Sequence, residues 1–270
     1  MLTRGRPEGR DPEGAARGQA RRDIAMRTLK LTIAYDGTGY AGWQVQRGRQ
    51  RTIQGTLEQV LRRILREPVR VIGSGRTDAG VHAAAQVAHC TTRSSIPRNR
   101  LLHSLNALLP PDIAVTHIEE AAQGFHARLS ARRKHYRYRV FTGPVVPPFI
   151  CPYVHHVQRP LNLSAMRREA AALGGTHDFL AFARADKTGR GTRRTITAVR
   201  MSRRGPELHL DIEGNGFLHT MVRSITGTLL DVGRGRLPPG TVRRLLRTKQ
   251  RRLAGTTAPA RGLTLVSVGY

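Results

Sequence analysis

The sequence predicts an α+β protein of two tandem βαββαβ-like halves, with antiparallel sheets side by side and a basic cleft between them. Three observations predict it. Along residues 29–118 the apolar spacing switches between strand and helix periods in the order β-α-β-β-α-β, the split βαβ pattern. A similar order of elements returns over residues 135–268, without a residue-level repeat. The 270 residues are 39% hydrophobic and 24% charged, which suffices to bury a core in one large domain or two small ones.

Each element has its own signal. Leu29, Leu31, Ile33 and Tyr35 alternate with Lys30, Thr32 and Ala34, a strand that Asp36 and Gly37 end as a turn. Leu57, Val60, Leu61, Ile64 and Leu65 keep helical spacing until Glu67 and Pro68. Residues 69–73 and 85–92 read as strands around a glycine-bounded loop. Residues 98–108 read as a helix before Pro110 and Pro111, and 113–118 as a strand. In the second half, 135–141 reads as a strand with Tyr136, Tyr138 and Val140 on one face, and 162–173 as a helix. Residues 195–202 and 207–213 read as strands, the latter alternating Leu208, Leu210 and Ile212 with His209 and Asp211. Phe217, Met221, Ile225 and Leu229 recur every four residues and predict a helix over 216–232. A short helix at 239–248 and a strand at 262–268 close the chain.

The domain boundaries follow. Residues 1–26, rich in Gly, Arg, Pro and Ala, read as a disordered tail, and Met26 offers a second start. Residues 27–125 form the N-terminal half with the glycine loop, and 126–270 the C-terminal half. Ala183 to Thr195, rich in Arg and Gly, reads as a mobile loop near the cleft.

Charge points to the partner. Lys plus Arg total 46 against 18 Asp plus Glu, a net +28, and only Lys30, Lys134, Lys187 and Lys249 are lysines. The tail sets six Arg against Glu8, Asp11, Glu13 and Asp23, so nearly all the excess sits on the body. A folded body so charged attracts polyanions, and guanidinium groups fork onto phosphates and stack on bases. No strongly basic amphipathic helix, lipidation signal or apolar run of about 18 residues indicates a membrane, so nucleic acid is the expected partner. The N-terminus lacks the apolar core of a signal peptide, and Cys90 and Cys151 form neither a disulfide framework nor a metal spacing. A reduced, cytoplasmic protein without a metal is expected; His155 and His156 read as a surface pair.

The most informative stretch runs Gly73, Ser74, Gly75, Arg76, Thr77, Asp78, Ala79, Gly80, Val81, His82, Ala83. Glycines permit unusual backbone angles and close ligand approach. They let Arg76 and Asp78 point into one cleft. A lone aspartate in such a loop is ordinarily a turn former or helix cap. By themselves, Tyr136 and Leu263 read as core, and Arg223 as a solvated helix residue.

This stretch resembles the signature of the tRNA pseudouridine synthase A family. The resemblance extends over residues 27–270. Tyr35-Asp36-Gly37, Gly42-Trp43-Gln44, Phe125-His126-Ala127-Arg128 with Ser130-Ala131, and Tyr136-Arg137-Tyr138 match its blocks in order. His177-Asp178-Phe179, Phe217-Leu218-His219 with Met221-Val222-Arg223, and Gly262-Leu263 complete the set. The 183–195 segment and the tail have no clear counterpart.

The resemblance implies a cofactor-independent isomerase that detaches uracil from its ribose, turns it and rejoins it through carbon. Asp78 corresponds to the family's catalytic aspartate. It attacks the base, attacks the sugar carbon or takes a sugar proton, and each role requires the ionised form. Arg223 corresponds to the arginine paired with it. Tyr136 corresponds to the aromatic that stacks on the flipped uracil, Arg76 to the arginine that fills the vacated space, and Leu263 to the apolar residue against the base. The family acts on the anticodon stem-loop of tRNA, at positions 38, 39 and 40, as a homodimer. Arg128, Arg132, Arg133 and Arg137 are candidate phosphate contacts, although a basic run is commonly a solvated face. The alternatives are a non-catalytic RNA-binding protein or chaperone on the same fold, or a ribosome-associated structural protein. A pure binder gains nothing from a carboxylate in a cationic cleft, which favours the enzyme.

Overall fold

The computed structural model describes residues 26–48, 50–184 and 191–270. Strand β1 (Arg27–Tyr35) forms because its apolar residues recur at period two: Leu29, Leu31, Ile33 and Tyr35 are all buried. Helix α1 (Ile53–Leu65) starts at Thr52, whose side chain accepts from Gly55 N, and stops at Arg66 in the left-handed region. Its Ile53, Leu57, Leu61 and Leu65 line one buried face. Then come β2 (Ile72–Gly73), β3 (His82–Thr92), α2 (Arg98–Leu108) and β4 (Ile113–Glu120). The later elements are β5 (Arg133–Phe141), β6 (His155–His156), α3 (Leu163–Ala171), β7 (Gly175–Asp178), β8 (Arg193–Arg204) and β9 (Glu207–Gly214). They end with α4 (Met221–Gly233), α5 (Thr241–Thr248) and β10 (Leu263–Gly269).

The strands form one sheet in the order β4-β1-β3-β10-β5-β9-β8-β7, with β2 on β3 and β6 on β5. The last strand lies in the middle. β10 runs parallel to β3 and antiparallel to β5, so it joins what the sequence presents as two sheets and pairs edges that would otherwise stay open. The sheet is accordingly mixed, with β5 and β6 also parallel.

The two faces of its middle differ. Tyr138, Leu208, Leu210, Ile212 and Leu265 pack into the core with Leu31 and Ile33. On the other face of β5 and β9, His135 and Arg137 reach Asp211, while Arg139 and His209 reach Glu207. Strand alternation separates the two sets.

Several boundaries differ from the sequence reading. Of residues 69–73, only Ile72 and Gly73 pair as a strand; Val71 instead bonds through its N–H to Glu58 Oε1 and through its carbonyl to Gln54 Nε2. Side chains of α1 thus take the ladder's place. The helix read over 216–232 begins at Met221, because Thr220 sits at φ 62° and breaks the helical path. Gly240 likewise delays α5, and Asn162 caps α3 by accepting from Ala165 N. β6 and β7 are too short to show a period, and His155 and His156 are half-buried in β6 rather than a surface pair. The predicted tail, except Met26, and residues 185–190 of the Ala183 to Thr195 segment lie outside the described residues. Arg193 to Thr195 open β8. Among the described residues no helix is long and apolar enough to cross a membrane.

Candidate active site

The glycine-bounded loop joins β2 to β3 and is held from several sides. Ser74 N donates to Val87 O at 2.7 Å, and Ser74 Oγ donates to Gln86 Oε1 at 2.6 Å. Gln86 Nε2 donates back to Gly75 O at 3.0 Å. Thr77 accepts from Trp43 N at its carbonyl and meets the Tyr35 hydroxyl at 2.8 Å. Gly80 adopts φ 75°, which a side chain would oppose. His82, at the end of the motif, accepts from Gly37 N at Nδ1 and lies 3.1 Å from Arg261 O at Nε2. It ties the turn after β1 to the segment before β10.

Asp78 emerges from this frame with its side chain mostly covered. Arg223 Nη1 lies 2.7 Å from Asp78 Oδ2, and His219 Nε2 lies 3.3 Å from Asp78 Oδ1. The arginine is itself anchored. Its Nε donates to Ala258 O at 2.9 Å, and its carbonyl accepts from Ala258 N at 3.1 Å. The His219 carbonyl accepts from Arg184 N at 3.1 Å. Next to His219 in the chain stands Thr220, in the left-handed region and with a buried hydroxyl that finds no partner among the described residues. Such strain persists only where surrounding contacts enforce it. One carboxylate oxygen of Asp78 therefore faces a guanidinium and the other an imidazole nitrogen.

Tyr136 is buried, and its ring meets Phe217 edge-on at 5.2 Å. Burial pushes its phenol well above the usual range, with the nearby Tyr35 and Asp78 adding to the rise. Leu263 opens β10 and is buried, in register with Tyr138; Leu265 is the residue across from Tyr136. Arg76 is exposed on the loop.

The structure does not gather the four other arginines at Asp78. Arg133 and Arg137 alternate with Tyr136 along β5 and project to the opposite face. There Arg133 pairs with Glu213 at 3.4 Å and Arg137 with Asp211 at 2.9 Å. Arg132 is exposed, its N–H bonded to Gly269 O, and Arg128 is exposed with its N–H on His126 Nδ1.

Two residues were given no role by the sequence reading. His219 lies beside Asp78, and its spacing of four from Arg223 in the helix read over 216–232 was a signal that could have found it. Lys134 lies two residues before Tyr136. Strand alternation alone would have put it on the same face.

A family profile described as tRNA pseudouridine synthase matches residues 31–129 and 170–270. The chain is 44% identical over 246 residues to tRNA pseudouridine synthase A of Moorella thermoacetica, covering 91% of this chain and 100% of that protein. It is 47% identical over 245 residues to the protein of that name from Geobacter sulfurreducens, with the same coverage of 91% and 100%. Among solved structures, one of the archaeal box H/ACA sRNP Nop10-Cbf5 complex aligns at 12% identity with a TM-score of 0.34. That alignment covers 75% of this chain and 43% of that one.

Proposed function

The chain belongs to the tRNA pseudouridine synthase family, an isomerase family that turns uridine into pseudouridine in tRNA, and from that premise we propose what its residues do and where on tRNA they act. The substrate is the anticodon stem-loop, at the three positions given above. The enzyme works as a cytoplasmic homodimer.

The reaction rearranges one nucleotide. The bond from ribose C1′ to uracil N1 breaks, the base turns, and C5 bonds to C1′; a proton leaves C5 and one settles on N1. Product and substrate have the same atoms, so no co-reactant is consumed. A stacked uridine must first leave its stack. Arg76, exposed on the loop, fills the space it leaves. Tyr136 forms the platform for the turned base, with Leu263 beside it. Its raised phenol stays protonated at neutral pH and serves as a donor rather than a ready base.

Asp78 is the reacting carboxylate. The observation that carries this reading is the 2.7 Å contact to Arg223, which pairs a largely covered carboxylate with a fixed guanidinium and holds it in place as nucleophile or base. The net charge of +28 supplies phosphate affinity that falls steeply with salt.

The test is direct. Unmodified tRNA is incubated with the protein, and pseudouridines are mapped by carbodiimide-stop primer extension. Stops in the anticodon arm are expected. Stops elsewhere would overturn the location and keep the chemistry; none would overturn the function.

A further inference from the structure

His82 closes the run of residues that carries Asp78, and the reaction as proposed leaves it without a task. Its side chain is only 5% exposed, at the start of β3 and in register with Thr264 of β10. Its partners fix its state. The Gly37 N–H can only donate, so Nδ1 accepts it at 3.1 Å and carries no proton. Arg261 O can only accept, so the proton sits on Nε2 and is donated there at 3.1 Å. The ring is therefore neutral, and each nitrogen holds a different segment of the chain.

A third segment steadies the ring. Tyr153 meets it near edge-on, with ring centroids 5.1 Å apart, and the Tyr153 hydroxyl donates to Asp36 Oδ2 at 2.7 Å. Asp36 Oδ1 lies 3.1 Å from His82 Nδ1, but takes its hydrogen bonds from the N–H and hydroxyl of Thr38, at 2.9 and 2.6 Å. Asp36 is thereby held on both oxygens, and Gly37, the next residue, keeps its N–H toward the imidazole.

The turn that carries Asp78 leans on these same segments. Val81 N donates to Asp78 O at 3.2 Å and closes a turn over residues 78–81, with Gly80 at φ 75°. A Cβ on Gly37 would come to 2.1 Å of Val81 O, and a Cβ on Gly80 to 3.3 Å of Ala260 Cβ. The turn thus packs on Gly37 and on the Ala260–Arg261 pair, and His82, directly after it, bonds to Gly37 and Arg261. Before the turn, Thr77 O accepts from Trp43 N at 3.1 Å, and Thr77 Oγ1 meets the Tyr35 hydroxyl. Asp78 stands between two anchors. The one at His82 also reaches the entry to β10, two residues before Leu263.

We propose that His82 is a positioning residue for the isomerisation: its neutral imidazole, steadied by Asp36 and Tyr153, bridges Gly37 and Arg261 and so sets the turn that aims the Asp78 carboxylate. This rests on the reading of Asp78 as the reacting group. His82 acts through the backbone and not as an acid or base, since its one proton is engaged by Arg261 O and its one lone pair by Gly37 N–H. A frame of this kind matters to rate because a misplacement of about 1 Å costs about a hundredfold.

The experiment compares wild type, His82→Ala, His82→Asn, His82→Gln, Tyr153→Phe and Asp78→Asn. Single-turnover rates on saturating unmodified tRNA are measured beside tRNA binding, at a temperature where melts show each variant folded. His82→Ala should lose about a hundredfold in rate, with tRNA affinity held within about threefold. The asparagine amide reaches the place of Nδ1 and restores an acceptor for Gly37; the glutamine amide reaches that of Nε2 and restores a donor for Arg261. Each should recover about tenfold over alanine, the worth of one such hydrogen bond. Tyr153→Phe keeps the ring and removes only the hydroxyl on Asp36. It should lose about threefold alone and nothing further when combined with His82→Ala. A wild-type rate in His82→Ala would overturn the proposal, as would a loss confined to binding, no recovery in either amide variant, or independent losses in the double variant. If His82→Ala does not fold, the amide variants and Tyr153→Phe carry the same test. An inactive Asp78→Asn beside a full-rate His82→Ala would overturn this proposal alone; full turnover in Asp78→Asn would overturn the reading of Asp78 and this proposal with it.

Discussion

Asp78 and Arg223, 145 residues apart in the chain, meet at 2.7 Å. The carboxylate rides on the loop between β2 and β3 and the guanidinium on the first turn of α4, so the contact exists only when these distant segments pack together. His219 then takes the oxygen that Arg223 leaves. The following predictions test this constellation and its frame.

Asp78→Asn keeps the size of the side chain and removes its charge. Pseudouridine formation should fall by at least about 10⁴-fold, as expected when a reacting group is lost. tRNA affinity, which comes chiefly from phosphate contacts, should hold within a few-fold. A filter-binding titration and a tritium-release assay read the two quantities.

Arg223→Lys should not restore function. A lysine ammonium is one compact charge and cannot span Ala258 O and Asp78 Oδ2 together, as the arginine does. Arg223→Ala leaves Asp78 without its nearest cation, and breaking a covered pair from one side costs several kcal/mol at most. We expect a drop in Tm of a few degrees and a loss of rate far exceeding it. Thermal melts beside single-turnover kinetics separate the two.

His219→Gln should slow the chemical step by about twofold to tenfold, since His219 Nε2 lies 3.3 Å from Asp78 Oδ1 and the substitution disturbs that contact. Single-turnover rates measured beside tRNA binding check this; a wild-type rate would exclude His219 from the working surroundings of Asp78.

Glu207 should contribute to acid stability. Two hydrogen bonds from Arg139, then one with His209, outweigh burial and hold its carboxyl down to about 2 from an ordinary 4.5. A carboxyl whose folded pKa is depressed stabilises the fold above its unfolded pKa and loses that contribution as pH falls through the folded value. Wild-type Tm should thus decline between about pH 4.5 and 2. In Arg139→Met, Tm should be lower at neutral pH and decline less steeply in that range.

Much of this was legible beforehand. Period-two and helical spacings located β1, β5, α1 and α2 because each buries an apolar face, and β9, covered on both faces, because its apolar residues alternate with charged ones that pair with β5 and β8. The motif from Gly73 to Ala83 and the block around Arg223 named the carboxylate and its cation. Other features were not legible. The β2 segment looked like a full strand because Val69 and Val71 are apolar, but Glu58 and Gln54 of α1 claim the backbone of Val71. Phe217 mimicked a helical position because a left-handed residue, Thr220, leaves no mark on apolar spacing. The basic run around β5 read as one patch, although alternation sends Arg133 and Arg137 to the carboxylates of β9 and Lys134 to the loop of Asp78.

By itself the sequence determined most of the elements, the excess of positive charge and the motif that carries Asp78, since these depend on residue type and on neighbours a few positions away. Only the tertiary structure decided that β10 closes the middle of a single sheet and that His219 completes the surroundings of Asp78. It alone decided that Arg133 and Arg137 face carboxylates of β9. Those outcomes depend on contacts between residues far apart in the chain, and local spacing carries no record of the distances between them.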